Sequence, residues 1–286
     1  MPILLFASAL ASLSAGTPGV DGTVPSSDGV PIRYHAEGAG EPALVFVHCW
    51  CCDRHLWDAQ LPAFAPRHRI VTLDLAGHGE SGRGRKDWTI EAYAADVRAV
   101  LGRVDASRAI LVGHSMGGKV IVEAARSMRS RVVGVVPVDA WTSVGEREKV
   151  EDVDAFVAPF QADFKAAATR FVRNYMFVPT TDPRLVERLV DKTAASPADV
   201  AVGSLRQSLL YDLGTALREI EVPIHALNSD QHPTRLDAIR RFAPRFEATI
   251  MTGVGHYLML EDPTRFNQIL GEALAAVVAA DGARKH

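Results

Sequence analysis

The residues best suited to chemistry lie in Gly113-His114-Ser115-Met116-Gly117-Gly118. The short apolar run Ala109-Ile110-Leu111-Val112 leads into them, and Lys119-Val120-Ile121-Val122-Glu123-Ala124-Ala125 follows with helical spacing. A serine framed by glycines between a strand and a helix is the pattern of a strained turn that holds its hydroxyl out for attack. The glycines have a steric reason. A Cβ two residues to either side of the serine would meet the neighbouring strand or helix, while the new helix points free N–H groups at the reacting centre. That chemistry needs more than a serine, because a hydroxyl is a poor nucleophile until a base takes its proton and an acid holds the base.

The elements that would position such groups follow from the apolar pattern. Residues 20–42 read as an opening antiparallel hairpin. Ala43–Val47, Arg69–Leu73, Ala109–Val112, Arg131–Val138, Val222–Leu227 and Glu247–Met251 then read as strands. Their continuous apolar runs suit a parallel sheet buried on both faces. Trp88–Arg103, with Thr89 as N-cap, and Pro263–Ala280 read as helices between or after strands. Such alternation gives a doubly wound α/β architecture, and reactive groups gather at the carboxyl ends of its strands. His48, Asp74, Ser115, Asp139, Asp230 and His256 therefore share one rim. Residues 141–218 break the alternation. They read as helices over Val153–Tyr175, Pro183–Ala194 and Asp199–Tyr211, punctuated by Pro159, Pro179, Pro183 and Pro197, and form a helical cap over the rim. Residues 21–140 and 219–286 make the core.

Composition narrows the field. A net charge of -3 over 286 residues, with no basic stripe, argues against a nucleic-acid partner. No stretch reaches the length of a membrane span. The three cysteines, Cys49, Cys51 and Cys52, lie within four positions and have no partner elsewhere, so no disulfide framework and no zinc site are expected. Residues 1–20 combine the apolar run Ile3–Ala11 with small residues but lack a positive n-region. They read as a signal peptide for secretion or periplasmic export, or as a disordered leader.

Taken together, His48-Cys49-Trp50, Asp74-Leu75-Ala76-Gly77-His78-Gly79-Glu80-Ser81, the Ser115 turn and Gly253-Val254-Gly255-His256 resemble the α/β-hydrolase fold. Their order and spacing are similar to its capped, serine esterase-like branch, over residues 28–280. The resemblance implies Ser115 as nucleophile and His256, on its Gly-rich loop, as base. The acid is one of two residues. Asp230 follows the penultimate strand, where most members of the fold carry it, and is favoured. Asp139 ends the preceding strand, and its other reading is a backbone cap. The oxyanion hole implied is the amide pair of Met116 and Trp50, although Cys49 stands where the family has glycine, so that either it accepts a strained φ or the loop is slightly remodelled. Trp141, at the start of the insertion, is expected to touch substrate, and the aromatics of the insertion suit an apolar pocket. The function implied is cleavage of a carboxylic ester or lactone of a small, largely apolar molecule through an acyl-enzyme, with no cofactor and no metal. A carbon–carbon bond hydrolase of the same fold and a ligand-binding receptor on the same scaffold are the alternatives.

Overall fold

The computed structural model describes residues 19–104, 106–145 and 147–284. The expected leader over residues 1–20 lies almost wholly outside the described residues. An eight-stranded sheet runs in the order β1-β2-β4-β3-β5-β6-β7-β8. The strands are β1 (Val20–Pro25), β2 (Pro31–Glu37), β3 (Ala43–Val47), β4 (Ile70–Leu73), β5 (Ala109–His114), β6 (Val132–Val138), β7 (Ile224–Ser229) and β8 (Phe246–Met251). Both ladders of β2 are antiparallel and the other pairings are parallel, so β2 alone runs against the sheet.

The buried strands show why their apolar runs are unbroken. On β3, Val45 and Val47 pack into one core, while Leu44 and Phe46 pack into the other on the opposite face. Helices cover both faces. The first half of the chain contributes α1 (Leu61–Phe64), α2 (Ile90–Arg103) and α3 (Met116–Ser127). Thr89 caps α2, its hydroxyl accepting from the Ala92 amide. Five helices then intervene between β6 and β7: α4 (Val150–Ala162), α5 (Phe164–Tyr175), α6 (Pro183–Ala194), α7 (Ala198–Leu210) and α8 (Leu213–Glu219). Short α9 (Leu236–Arg240) and α10 (Leu258–Glu261) precede the long closing helix α11 (Pro263–Arg284). The helical stretch read over Val153–Tyr175 is broken, but not at its proline. Pro159 sits within α4, and the break falls at Asp163, whose carboxylate caps the new helix by accepting from the Ala166 amide. A cap residue with its own acceptor starts a helix more effectively than a late proline ends one.

No helix among the described residues is long and apolar enough to cross a membrane.

Candidate active site

Strand order brings the rim residues together. β5 lies between β3 and β6, so the turns leaving three adjacent strands meet above one point. Ladder register sets their height. Val47 pairs with Gly113 and Val138 with His114, which puts His48 level with His114 and Asp139 level with Ser115.

Ser115 has φ 54° and ψ -117°, a conformation that side-chain-bearing residues rarely adopt and that costs about 1–3 kcal/mol. Its amide donates to Val138 O at 2.9 Å, which holds the turn against β6. The glycines make room as the sequence pattern requires. A Cβ on Gly113 would lie 2.4 Å from Gly117 O, and one on Gly117 would lie 2.6 Å from both Val47 O and His48 O. Backbone atoms cannot swing aside as a side chain can.

His256 and Asp139 meet directly, with His256 Nδ1 2.7 Å from Asp139 Oδ2. Asp139 itself has φ 43°, and its other carboxylate oxygen accepts from the Ser229 amide at 2.8 Å. Burial pushes this carboxyl up, but the bond to His256, the charge of His256 and the Ser229 amide together bring it below the ordinary carboxylate value. The favoured Asp230 does not reach His256. Its exposed carboxylate accepts from the Gly253 amide at 2.9 Å, tying down the loop that leads to the histidine. Register gives the reason. Val138 pairs with Leu227, so Asn228 stands level with Asp139 and Asp230 lies two residues farther along a strand one place farther from β5.

The loop after β3 departs from expectation in its cysteines and takes the remodelled alternative in its backbone. Cys49 and Cys52 form a disulfide with Cα atoms 5.4 Å apart. A partner sought elsewhere in the chain misses it, although the Cys-x-x-Cys spacing was visible. The left-handed residue is Cys51, with φ 57°, and not Cys49. The strain that a glycine would relieve has moved two residues along the loop. Cys51 is a buried free thiol that burial pushes far up, which leaves it un-ionised and unreactive. His48 braces this loop as a neutral ring, since Leu75 N–H donates to Nε2 at 2.9 Å and Nδ1 donates to Cys49 O at 2.7 Å. The Trp50 indole donates to Ala201 O at 2.7 Å and packs edge-on against Phe160 and Phe164. The Trp50 and Met116 amides have no hydrogen-bond acceptor among the described residues. Two free donors beside one serine are what a developing oxyanion needs.

A cavity of about 200 Å³ opens over these groups. Ser115, Met116, Trp50 and His256 line it from the core, and Phe171 and Leu205 from α5 and α7. Trp141 does not line it. That ring is buried in the core, close to Gly118, and its neighbour Ala140 faces the cavity instead. Two lining or bracing residues were not singled out from sequence. Lys119 lines the cavity one helical turn after Met116, and a charge in the first turn of an apolar helix was the available signal. His114 is fully buried and donates from Nε2 to His256 O at 2.8 Å. Burial, followed by the charge of His256, holds His114 well below its ordinary value, so it serves as a neutral donor. His114→Phe keeps the ring volume and loses that bond. The expected result is a fall of about tenfold in kcat through loosened positioning of His256, with little change in KM, checked by steady-state kinetics.

Ser115, His256 with its Asp139 partner, and the residues of the two free amides thus come together at one cavity. The model of the Alpha/beta hydrolase family matches residues 44–269. The chain belongs to the α/β-hydrolase family. Among similar proteins, the dihydrolipoyllysine-residue acetyltransferase component of the acetoin cleaving system of Pseudomonas putida is 30% identical over 249 residues. That match takes in 82% of this chain but 64% of the relative, so the chain spans less than two thirds of it. The pimeloyl-[acyl-carrier protein] methyl ester esterase of Sodalis glossinidius is 25% identical over 264 residues, covering 84% of this chain and 96% of that one. A thermophilic esterase from Thermogutta terrifontis superposes with a TM-score of 0.79 at 21% identity, over 90% of this chain and 99% of its own. At that identity the superposition speaks for the fold alone.

Proposed function

We propose that this α/β hydrolase is a serine hydrolase that cleaves a carboxylic ester or lactone of a small, largely apolar molecule. The observation that carries the reading is the hydrogen bond between His256 Nδ1 and Asp139 Oδ2, made beside a serine held at φ 54°. With Nδ1–H committed to the carboxylate, Nε2 is the bare nitrogen that can take a proton. In this reading Ser115 Oγ attacks the carbonyl carbon and His256 Nε2 takes its proton. The Trp50 and Met116 amides hold the oxyanion. Collapse expels the alcohol, which receives the proton from His256, and water then releases the acyl group by the same route. Asp139 fixes the tautomer and stabilises the imidazolium without itself becoming protonated. Helices α4 to α8 form a cap that closes the acyl pocket with Phe171 and Leu205.

The test is a fluorophosphonate probe applied to the purified chain, with the adduct mapped by peptide mass spectrometry and turnover of short p-nitrophenyl esters followed in parallel. The expected result is a single adduct on Ser115 together with turnover. No adduct, or one elsewhere, overturns the assignment. An adduct with no turnover of any ester removes the esterase reading and leaves an activated serine serving other chemistry.

A further inference from the structure

Lys119 is out of keeping with its surroundings. The cavity wall near it is built from Val172, Leu205, Leu209 and Met116, yet its side chain reaches the same space. Its Nζ donates a single hydrogen bond, to Ser208 O near the end of α7 at 2.6 Å. An ammonium carries three protons, so two remain without an acceptor among the described residues. No carboxylate lies within ion-pairing distance of it there. Glu148, which is exposed, is the carboxylate whose charge still reaches it. Burial pushes this amine down to about 8, as befits a cation with too little compensation. A chain that only needed to fill the wall would do so more cheaply with methionine or leucine.

We propose that Lys119 is a specificity-determining residue that recognises a second, anionic group on the substrate, making half-esters of dicarboxylic acids the preferred class. The inference rests on the ester-hydrolase reading above and deepens it. Residues three apart on a helix are neighbours, with Cβ atoms about 5–6 Å apart. Met116 and Lys119 line the same cavity, so a molecule bound there meets both residues. On a half-ester the scissile carbonyl and the free carboxylate belong to one acyl chain, which can satisfy both donors while its methylenes lie against Val172, Leu205 and Leu209. The two unmatched ammonium protons then gain acceptors, and the cavity's uncompensated charge is neutralised only when such a substrate is present.

The experiment compares methanol release from the monomethyl esters of succinic, glutaric and adipic acids with that from methyl butanoate, pentanoate and hexanoate. For the parent enzyme, the half-ester is expected to have the higher kcat/KM at one chain length or more. In Lys119→Met the half-ester to neutral-ester ratio is expected to fall by about tenfold or more, expressed in KM, the size of one charge-assisted hydrogen bond. A parent that favours the neutral ester at every length overturns the inference without any variant being needed. A ratio unchanged in Lys119→Met also overturns it, because a lysine that only ties α3 to α7 would slow both series alike. In either case turnover of the neutral esters leaves the hydrolase reading standing, whereas loss of the Ser115 adduct removes both.

Discussion

Asp139→Asn lowers kcat/KM by about three to four orders of magnitude, while Asp230→Asn stays within about tenfold of the parent. The contrast follows from where each carboxylate points. Asp139 Oδ2 receives His256 Nδ1 at 2.7 Å and Asp139 Oδ1 receives the Ser229 amide at 2.8 Å. An asparagine there keeps the shape of the side chain. It can turn its NH₂ toward the histidine, however, and so place the bare nitrogen at Nδ1 and the proton at Nε2. The ring would then face Ser115 with a donor where an acceptor is required. Asp230 holds the Gly253 amide, three residues ahead of the histidine, and an asparagine oxygen can accept that bond as well. Steady-state kinetics of both variants on one p-nitrophenyl ester decide the matter. Comparable losses in the two, or a larger loss in Asp230→Asn, would sink the assignment of Asp139.

The second large effect is a single methyl group on the Ser115 turn. Gly117→Ala is expected to reduce kcat by about a hundredfold and to destabilise the fold by about 1–3 kcal/mol. The new Cβ would stand 2.6 Å from Val47 O and from His48 O, and both are backbone atoms of the strand end that carries Trp50. Contact can be relieved only by moving β3 away from α3. That movement separates the Trp50 amide from the Met116 amide, so the oxyanion loses the register of its two donors. A thermal melt paired with kcat reports both consequences. Retention of full activity would mean that the two amides do not act together.

Much of this was legible in the chain because double-sided burial writes itself as unbroken apolar runs. Six of the eight strands had a counterpart within about two residues, β1 and β2 fell inside the hairpin read over residues 20–42, and the elbow glycines announced the Ser115 turn. What could not be read depended on lateral position. Asp139 and Asp230 both end strands, and only the pairing of Val138 with Leu227 shows that one lies level with the serine and the other beyond it. Trp141 was misplaced for a related reason, since sequence adjacency to Ala140 says nothing about which of the two turns inward. The cysteine pair was an error of range, because a short loop can close its own disulfide. Lys119 needed the position of α7, which supplies the carbonyl it binds.

The segment inserted between β6 and β7 meets the proposed Asp139–His256 pair at both of its members. The insertion begins two residues after Asp139, and from its interior Met176 O accepts the His256 amide at 2.9 Å. The same carbonyl lies 2.7 Å from where a Cβ on Gly255 would stand, so the base loop is moulded against it. Selectivity and turnover therefore share one set of fastenings. Exchanging these helices wholesale would carry off a support of His256 along with the cavity wall. Any graft that hopes to change what the enzyme accepts without slowing it has to leave the Asp139 junction and the stretch around Met176 in place.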